Sequence, residues 1–187
     1  MKISLVTTNR GKFAEIGAMI REKGYEVEHI PVAYPEMQAE SLEMVVLQGL
    51  EWLMEKYNRP LLVDDSGLFV DCLGGFPGVY SAYVYHTIGC DGILSLMQGI
   101  QNREAHFACC LGFIEPSKEA HLFIGTSNGT ISTKKIGDEG FGFDPIFVPV
   151  GYDNTFAELP MDVKNNISHR GAAFKKFFEY LKTEHQE

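Results

Sequence analysis

The chain has 187 residues, of which 45% are hydrophobic and 22% are charged, a composition that excludes a disordered protein and fits one globular domain over residues 1–187. The net charge is −9 at pH 7. This argues against a nucleic-acid partner, because proteins that bind nucleic acids gain affinity by neutralising phosphates with positive charges. No apolar run is long enough for a signal peptide or a bilayer span. We therefore expect a cytoplasmic protein with no membrane partner.

The first third of the chain predicts alternating strands and helices. Residues 2–7 form a predicted strand, residues 11–23 a helix and residues 26–30 a second strand. Ser41 is a suitable N-cap for a second amphipathic helix, and a third strand begins at Leu61. This β-α-β-α-β order predicts a mostly parallel sheet covered by helices.

The rest of the chain predicts a mixed sheet. Residues 79–99 read as helical, and residues 107–114 are apolar on both faces, as in a central strand. Residues 122–125 and 130–134 predict two short antiparallel strands. Ser168 is expected to open a last helix with an aromatic core-facing stripe.

The third strand runs into two adjacent carboxylates, Asp64 and Asp65, followed by Ser66 and Gly67. Ligands of open α/β sheets bind outside the carboxyl ends of strands, so this position suits chemistry. Adjacent carboxylates repel each other unless a cation or a proton lies between them. The alternative is an Asx-type turn that closes the strand.

The turn between the first strand and the first helix is a candidate anion site, because N–H groups at a helix N-terminus attract negative charge. Its residues are Thr7, Thr8, Asn9, Arg10, Gly11 and Lys12. The turn is not a P-loop, since the earlier glycine is missing and Phe13 replaces the required Ser or Thr. An ordinary capped turn is the alternative.

Glycines recur in residues 137–142 with the spacing G-x-x-G-x-G, the reverse of the dinucleotide fingerprint, so a Rossmann assignment fails. Phe141 and Phe143, separated by Gly142, offer a flat face for a purine, and Asp144 offers it a hydrogen-bond acceptor. The alternative is a glycine-permitted bend that carries core phenylalanines.

Lys164, His169 and Arg170 lie just before or at the start of the last helix. Cations there oppose the helix dipole, and an anionic ligand would remove the conflict. The alternative is a set of solvated charges. Together with the acid pair, these residues suggest a nucleotide polyphosphate held by Mg²⁺, with Asp65 and either Asp64 or a nearby acid, Glu36 or Glu40, as ligands.

Five segments together resemble the inosine triphosphate pyrophosphatase family, the Ham1-like purine nucleoside triphosphate pyrophosphatases, and in particular its archaeal branch. They are Thr7-Thr8-Asn9-x-x-Lys12, Asp64-Asp65-Ser66-Gly67-Leu68, Gly75-x-Pro77-Gly78-Val79-Tyr80-Ser81, Gly140-Phe141-Gly142-Phe143-Asp144-Pro145-Ile146-Phe147 and Ser168-His169-Arg170. They occur in the family's order and cover almost the whole chain.

The resemblance implies an elongated, two-lobed α/β fold, with a long mixed β-sheet flanked by helices and an active-site cleft between the lobes. It also implies a homodimer that hydrolyses non-standard purine nucleotides (ITP, dITP and XTP) to the monophosphate and pyrophosphate with Mg²⁺. Asp65 is then the catalytic base and a metal ligand, Glu36 is a second metal ligand, and residues Thr7 to Lys12 bind the triphosphate. The implied nucleotide contacts are Ser66, Phe141, Gly142, Phe143, Asp144, Lys164, His169 and Arg170.

Two alternatives remain open at the level of the sequence. The first is a pyrophosphatase for other modified or pyrimidine triphosphates, and the second is a purine nucleotide sensor without turnover. Tyr80, Tyr83 and Tyr85 belong either to a dimer surface or to the core. The four cysteines lack metal-ligand spacing, so we expect buried, reduced thiols.

Overall fold

The strands and helices follow one another in an α/β pattern in the computed structural model, which describes residues 2–35 and 39–184. The strands are β1 (Lys2–Val6), β2 (Glu26–Ile30), β3 (Leu61–Val70), β4 (Glu104–Ile114), β5 (His121–Ile131) and β6 (Phe147–Pro149). The helices are α1 (Arg10–Glu22), α2 (Leu42–Tyr57), α3 (Ser81–Thr87), α4 (Gly89–Leu96), α5 (Met161–Ile167) and α6 (His169–Glu184).

The six strands form one sheet in the order β2-β1-β3-β4-β5-β6. β1 pairs in parallel with β2 and with β3, as the β-α-β-α-β pattern predicts. β5 and β6 are antiparallel, so the predicted mixed sheet is confirmed.

The two long N-terminal helices begin at residues that cap them. The Asn9 side chain accepts hydrogen bonds from the N–H groups of Gly11 and Lys12 at the start of α1. The Ser41 hydroxyl accepts from the N–H of Met44 at the start of α2, at 3.3 Å. Both contacts satisfy N–H groups that have no partner within the helix, and this fixes where each helix starts.

The position of the acid pair corrects the sequence prediction. Asp64 and Asp65 do not lie at the tip of a strand, because β3 continues through them to Val70. β3 is hydrogen-bonded to β4 in the sheet, and its second half also has side-chain and loop partners. The Ser81 hydroxyl accepts from the Leu68 N–H at 2.8 Å, and the Phe76 carbonyl accepts from the Val70 N–H at 3.2 Å. The alternative of an Asx turn closing the strand is therefore wrong.

Two other element predictions are corrected. The short strands predicted at 122–125 and 130–134 are parts of one strand, β5, whose inward and outward positions alternate through residues 123–131. The helix predicted over 79–99 is split into α3 and α4, because Gly89, the first residue of α4, takes a positive φ of 59°. Sequence reasoning also missed β6 and α5.

The chain divides into two compact units, each with its own core. The first contains Met1–Asp65, Cys109–Gly125 and Ala173–Glu187, and the second contains Ser66–Ala108 and Thr126–Ala172. In the first core, the aromatic face of α6, including Phe174 and Phe177, packs with Ile3 of β1 and Ile20 of α1. The predicted core stripe of the last helix is thereby confirmed.

The core of the second unit has a different composition. Phe107 of β4 packs there with Phe147 and Phe156, and the Phe143 side chain belongs to the same cluster. Residues of α3 and α4, such as Val84 and Ile93, complete it.

Within residues 2–35 and 39–184, none of the helices combines the length and the hydropathy that crossing a bilayer requires.

Candidate functional site

The predicted site residues within the described chain fall into two clusters, one in each unit. The first cluster, in the first unit, consists of Thr7, Thr8, Asn9, Arg10, Gly11, Lys12, Asp64 and Asp65. The second cluster, in the second unit, consists of Ser66, Phe141, Gly142, Phe143, Asp144, Lys164, His169 and Arg170. Glu36, the predicted second metal ligand, lies outside the described residues.

The turn of the first cluster is fixed by short-range hydrogen bonds. The Thr7 hydroxyl accepts from the Asn9 N–H at 3.1 Å, and the Asn9 side chain accepts from Gly11 and Lys12 at 2.9 and 3.1 Å. The turn is therefore capped, as the alternative proposed. Because two N–H groups of the α1 N-terminus are bound to Asn9, an anion there would rely largely on side chains, and Thr8 and Arg10 are exposed.

The Lys12 side chain connects this turn to the acid pair. Its Nζ lies 3.3 Å from Oδ2 of Asp64 and 4.0 Å from Oδ1 of Asp65, and it donates to the Asp64 carbonyl at 3.2 Å. The Asp64 side chain is buried, whereas that of Asp65 is 19% exposed. Asp65 is thus the carboxylate of the pair that solvent or a substrate can reach.

Cys110 lies near the same carboxylates. Burial raises the pKa of its thiol to about 12, and the negative charges of Glu43, Asp65 and Asp64 act in the same direction. The thiol stays protonated at neutral pH and adds no further negative charge beside the pair. The four cysteines are free, and Cys90, Cys109 and Cys110 are buried, as expected of reduced thiols.

The donor set of the first cluster fits Mg²⁺. Among the described residues, no group of three or more His, Cys, Asp or Glu side chains is placed to hold a metal ion. Mg²⁺, however, commonly uses only one or two carboxylates and takes its other ligands from substrate phosphates and water. Asp65 meets that requirement, because its carboxylate is partly exposed and lies beside Asp64.

Asp144 organises the second cluster. Its Oδ2 accepts from the Phe141 N–H at 2.7 Å and from Lys164 Nζ at 2.7 Å. Glycine suits position 140, because φ there is positive, at 75°, and a Cβ would clash with the same Oδ2. Both ends of the ion pair are buried, with 4% and 5% of the Lys164 and Asp144 side chains exposed. The carboxylate therefore shapes the glycine-rich bend and neutralises the buried ammonium.

Arg170 occupies the other side of this cluster. Its guanidinium donates to the Ser66 hydroxyl at 2.7 Å and lies 5.0 Å from the centre of the Phe141 ring. Lys164 Nζ is also 5.0 Å from that centre. Phe141 thus carries two cations near its ring, an arrangement that cation–π attraction stabilises.

Two expectations for the second cluster are corrected. Phe143 does not form a flat face with Phe141, because its side chain is buried in the core and meets Tyr85 edge-on, with the ring centres 5.4 Å apart. The Lys164 and Arg170 cations are not solvated, and neither is the His169 imidazole, since all three side chains are buried.

Sequence reasoning missed one residue that supports this cluster. The ring of Phe107 on β4 stacks on the His169 imidazole, with the ring centres 4.7 Å apart and the planes at 12°. The only signal in the sequence was the apolar run of β4, which predicts a buried ring but not its neighbour.

The sequence is similar over nearly its full length to proteins of one family. A model described as the Ham1 family matches residues 3–180. A dITP/XTP pyrophosphatase from Thermococcus kodakarensis is 50% identical over 182 residues, which cover 97% of this chain and 98% of that protein. One from Pyrococcus horikoshii is also 50% identical and covers 97% of each chain.

Solved structures agree with this similarity. The Ham1 protein of Staphylococcus aureus has a TM-score of 0.85 at 29% identity and covers 98% of this chain and 100% of its own. A nucleoside-triphosphatase/dITP/XTP pyrophosphatase from Mycobacterium abscessus has a TM-score of 0.73 at 31% identity and covers 95% and 97%.

The buried ion pair of the second cluster gives a stability prediction. Lys164→Met leaves the Asp144 carboxylate buried without its ammonium, and we expect a loss of about 3–5 kcal/mol of unfolding free energy. Adding Asp144→Asn removes the orphaned charge and should restore part of that loss. Urea denaturation of the single and double variants measures both effects.

The surface pair Lys135–Asp91 provides the matched control. Its atoms lie 2.8 Å apart, but the two side chains are 51% and 74% exposed, so Lys135→Met should lower the unfolding free energy far less than Lys164→Met. Equal losses for Lys164→Met and Lys135→Met would contradict the importance assigned to the buried pair.

Proposed function

The chain belongs to the Ham1 family, and on that premise we propose that it is a nucleoside triphosphate pyrophosphatase. We propose that it hydrolyses ITP, dITP and XTP to the monophosphate and pyrophosphate. The similarity to proteins named dITP/XTP pyrophosphatases over nearly the full length supports this activity. The structural observation that carries it is the contact of Lys12 with both carboxylates of the acid pair. A cytoplasmic location stays a prediction.

We assign the triphosphate to the first cluster. Release of pyrophosphate requires a water that attacks the α-phosphorus, an acceptor for its proton and positive charge near the leaving group. The partly exposed Asp65 carboxylate would orient the water and accept the proton, a role that typically contributes about 10²–10⁴-fold in rate. Lys12 and Arg10 would neutralise charge on the leaving pyrophosphate.

Mg²⁺ would be held by Asp65, with Glu36 as the proposed second ligand. When bound, the ion supplies Lewis-acid stabilisation of phosphate charge. The chain's own contribution is the fixed position of the carboxylates, because Lys12 holds Asp64 by both its side chain and its carbonyl oxygen.

We assign the purine base to the second cluster. Arg170 and His169 are buried side chains, and Ser66 fixes the guanidinium by a 2.7 Å hydrogen bond. A donor held in this way suits the carbonyl oxygen at the purine 6-position of hypoxanthine and xanthine. In ATP the donor would face an amino group and lose its acceptor, and such unpaired groups discriminate by about 10⁴ or more.

The activity is tested by measuring products from a panel of nucleotides in the presence and absence of a chelator. We expect ITP, dITP and XTP to yield pyrophosphate and the monophosphate with Mg²⁺, and very little product after EDTA treatment. Asp65→Asn should lower kcat by at least about 10²-fold without loss of the folded state in circular dichroism. Asp71→Asn, which changes an exposed carboxylate just beyond β3, is the matched control and should keep full activity.

Each result that differs from these expectations contradicts a different part of the proposed function. Release of orthophosphate would exclude a pyrophosphatase, and a preference for pyrimidine triphosphates would favour the alternative substrate class. Binding of ITP without product would favour a sensor, whereas a normal rate for Asp65→Asn would refute its role as base.

Base selection is tested with Arg170→Ala. Because the guanidinium is the proposed donor to the 6-carbonyl, we expect the ratio of kcat/KM for ITP to that for ATP to fall at least about tenfold. Arg103→Ala is the control, since Arg103 binds three backbone carbonyls of the same unit and its loss should lower stability without changing the ratio. An unchanged ratio in Arg170→Ala would show that selectivity lies elsewhere.

We also propose a homodimer. Tyr80, Tyr83 and Tyr85 are 46%, 72% and 38% exposed, so the alternative that they belong to the core is wrong. Tyr80 and Tyr83 are three residues apart at the start of α3, and tyrosine is enriched at protein interfaces.

Sedimentation velocity tests the dimer. We expect the mass of two chains for the unchanged protein and a shift to one chain for Tyr83→Ser, because the most exposed of the three rings is removed. The control Tyr152→Ser, which changes an exposed tyrosine outside α3, should cause no shift. A single-chain mass for the unchanged protein would contradict the proposal.

A further inference from the structure

His29 contacts the main chain of the turn that begins at Thr7. Its Nε2 lies 2.8 Å from the Thr7 carbonyl oxygen. A carbonyl oxygen only accepts hydrogen bonds, so Nε2 carries the hydrogen and donates it. His29 lies on β2, and this bond therefore ties the first residue of the turn to a neighbouring strand.

The same imidazole also contacts the other end of the turn. The Phe13 ring stacks on it with the ring centres 4.0 Å apart and the planes at 14°. Phe13 follows Lys12 directly and donates its N–H to the Asn9 carbonyl at 3.0 Å. One side chain thus touches the strand side of the turn by a hydrogen bond and the helix side by its ring face.

The remaining hydrogen bonds of the turn are of a different kind. The side chains of Thr7 and Asn9 bond to N–H groups within the turn, and the Thr7 N–H donates to the Ile30 carbonyl at 3.2 Å. The bonds within the turn fix its shape, and the bond to Ile30 fixes the position of the Thr7 N–H. His29 fixes the Thr7 carbonyl and the start of α1 together, and α1 carries Lys12 to within 3.3 Å of Asp64.

We propose that His29 is a positioning residue for triphosphate binding. It holds the turn so that Lys12 reaches the acid pair, and it has no contact with the substrate itself. The proposal rests on the assignment of the triphosphate to the first cluster. It also gives Phe13 a role, since the residue that replaces the P-loop Ser or Thr supports the imidazole.

The experiment compares His29→Gln with His29→Asn. Glutamine keeps an N–H donor at a reach similar to that of Nε2, whereas asparagine carries the same amide on a shorter side chain that falls short of the Thr7 carbonyl. We measure the Kd for inorganic pyrophosphate with Mg²⁺ by calorimetry, and KM and kcat for ITP. Thermal unfolding reports stability in parallel.

We expect His29→Asn to raise the Kd for pyrophosphate and the KM for ITP by roughly five- to tenfold, the size of one lost hydrogen bond. His29→Gln keeps the hydrogen bond but loses the ring that stacks on Phe13, so we expect a clearly smaller rise in both constants than in His29→Asn. The ITP-to-ATP ratio should be unchanged in both variants. A purely structural role would lower the unfolding temperature of both variants without separating their Kd values.

Three results overturn the proposal: equal Kd values for the two variants and the unchanged protein, an equal loss in both variants, or a loss of kcat with unchanged pyrophosphate affinity. The test is separate from that of the activity. If the unchanged protein binds pyrophosphate but releases none from ITP, the proposed activity fails, and the calorimetric comparison still decides the role of His29.

Discussion

The charge balance at Asp64 and Asp65 is the constraint on which the first cluster depends. The Asp64 side chain is buried, and an uncompensated buried carboxylate costs several kcal/mol. Lys12 compensates it from the first turn of α1, where a cation alone would oppose the helix dipole. The acid pair and the lysine therefore stabilise each other in positions that neither would favour alone. With Arg10 nearby in the turn, the formal charges of the cluster sum to about zero.

The proposed triphosphate would change this balance, because it would bring several negative charges next to a cluster that has no surplus positive charge. A bound divalent cation would offset this negative charge, and it would require a carboxylate that is accessible from solvent. Asp65 meets that need, being partly exposed. In the second cluster Asp144 neutralises the ammonium of Lys164, and the Ser66 hydroxyl holds the Arg170 guanidinium as a fixed donor. We assign the base to this cluster because a fixed donor can pair with a carbonyl oxygen of the purine ring.

The sequence predicts the elements that depend on local patterns. The order β1-α1-β2-α2-β3, the cap Ser41 and the aromatic face of α6 follow from periodicity and capping chemistry. It does not predict where β3 ends, because Asp and Gly are depleted in strands and the groups that extend β3 come from Ser81 and Phe76. It also does not separate Phe141 from Phe143, since burial of the second ring depends on Tyr85, which is distant in sequence.

The lysine and the carboxylates of the first cluster come from two elements, α1 and β3, whereas a P-loop combines its phosphate-binding and metal-binding groups in one segment. In a P-loop, one segment supplies the phosphate-binding N–H groups, the lysine and the hydroxyl that binds Mg²⁺. Here the turn keeps the lysine, but Asn9 accepts from two of the first N–H groups of α1, and Phe13 stands where the hydroxyl would be. An aromatic ring offers Mg²⁺ no hard oxygen ligand. On the proposed function, the metal would be bound by a different element, and β3, whose carboxylates Lys12 contacts, is the strand that we propose for it.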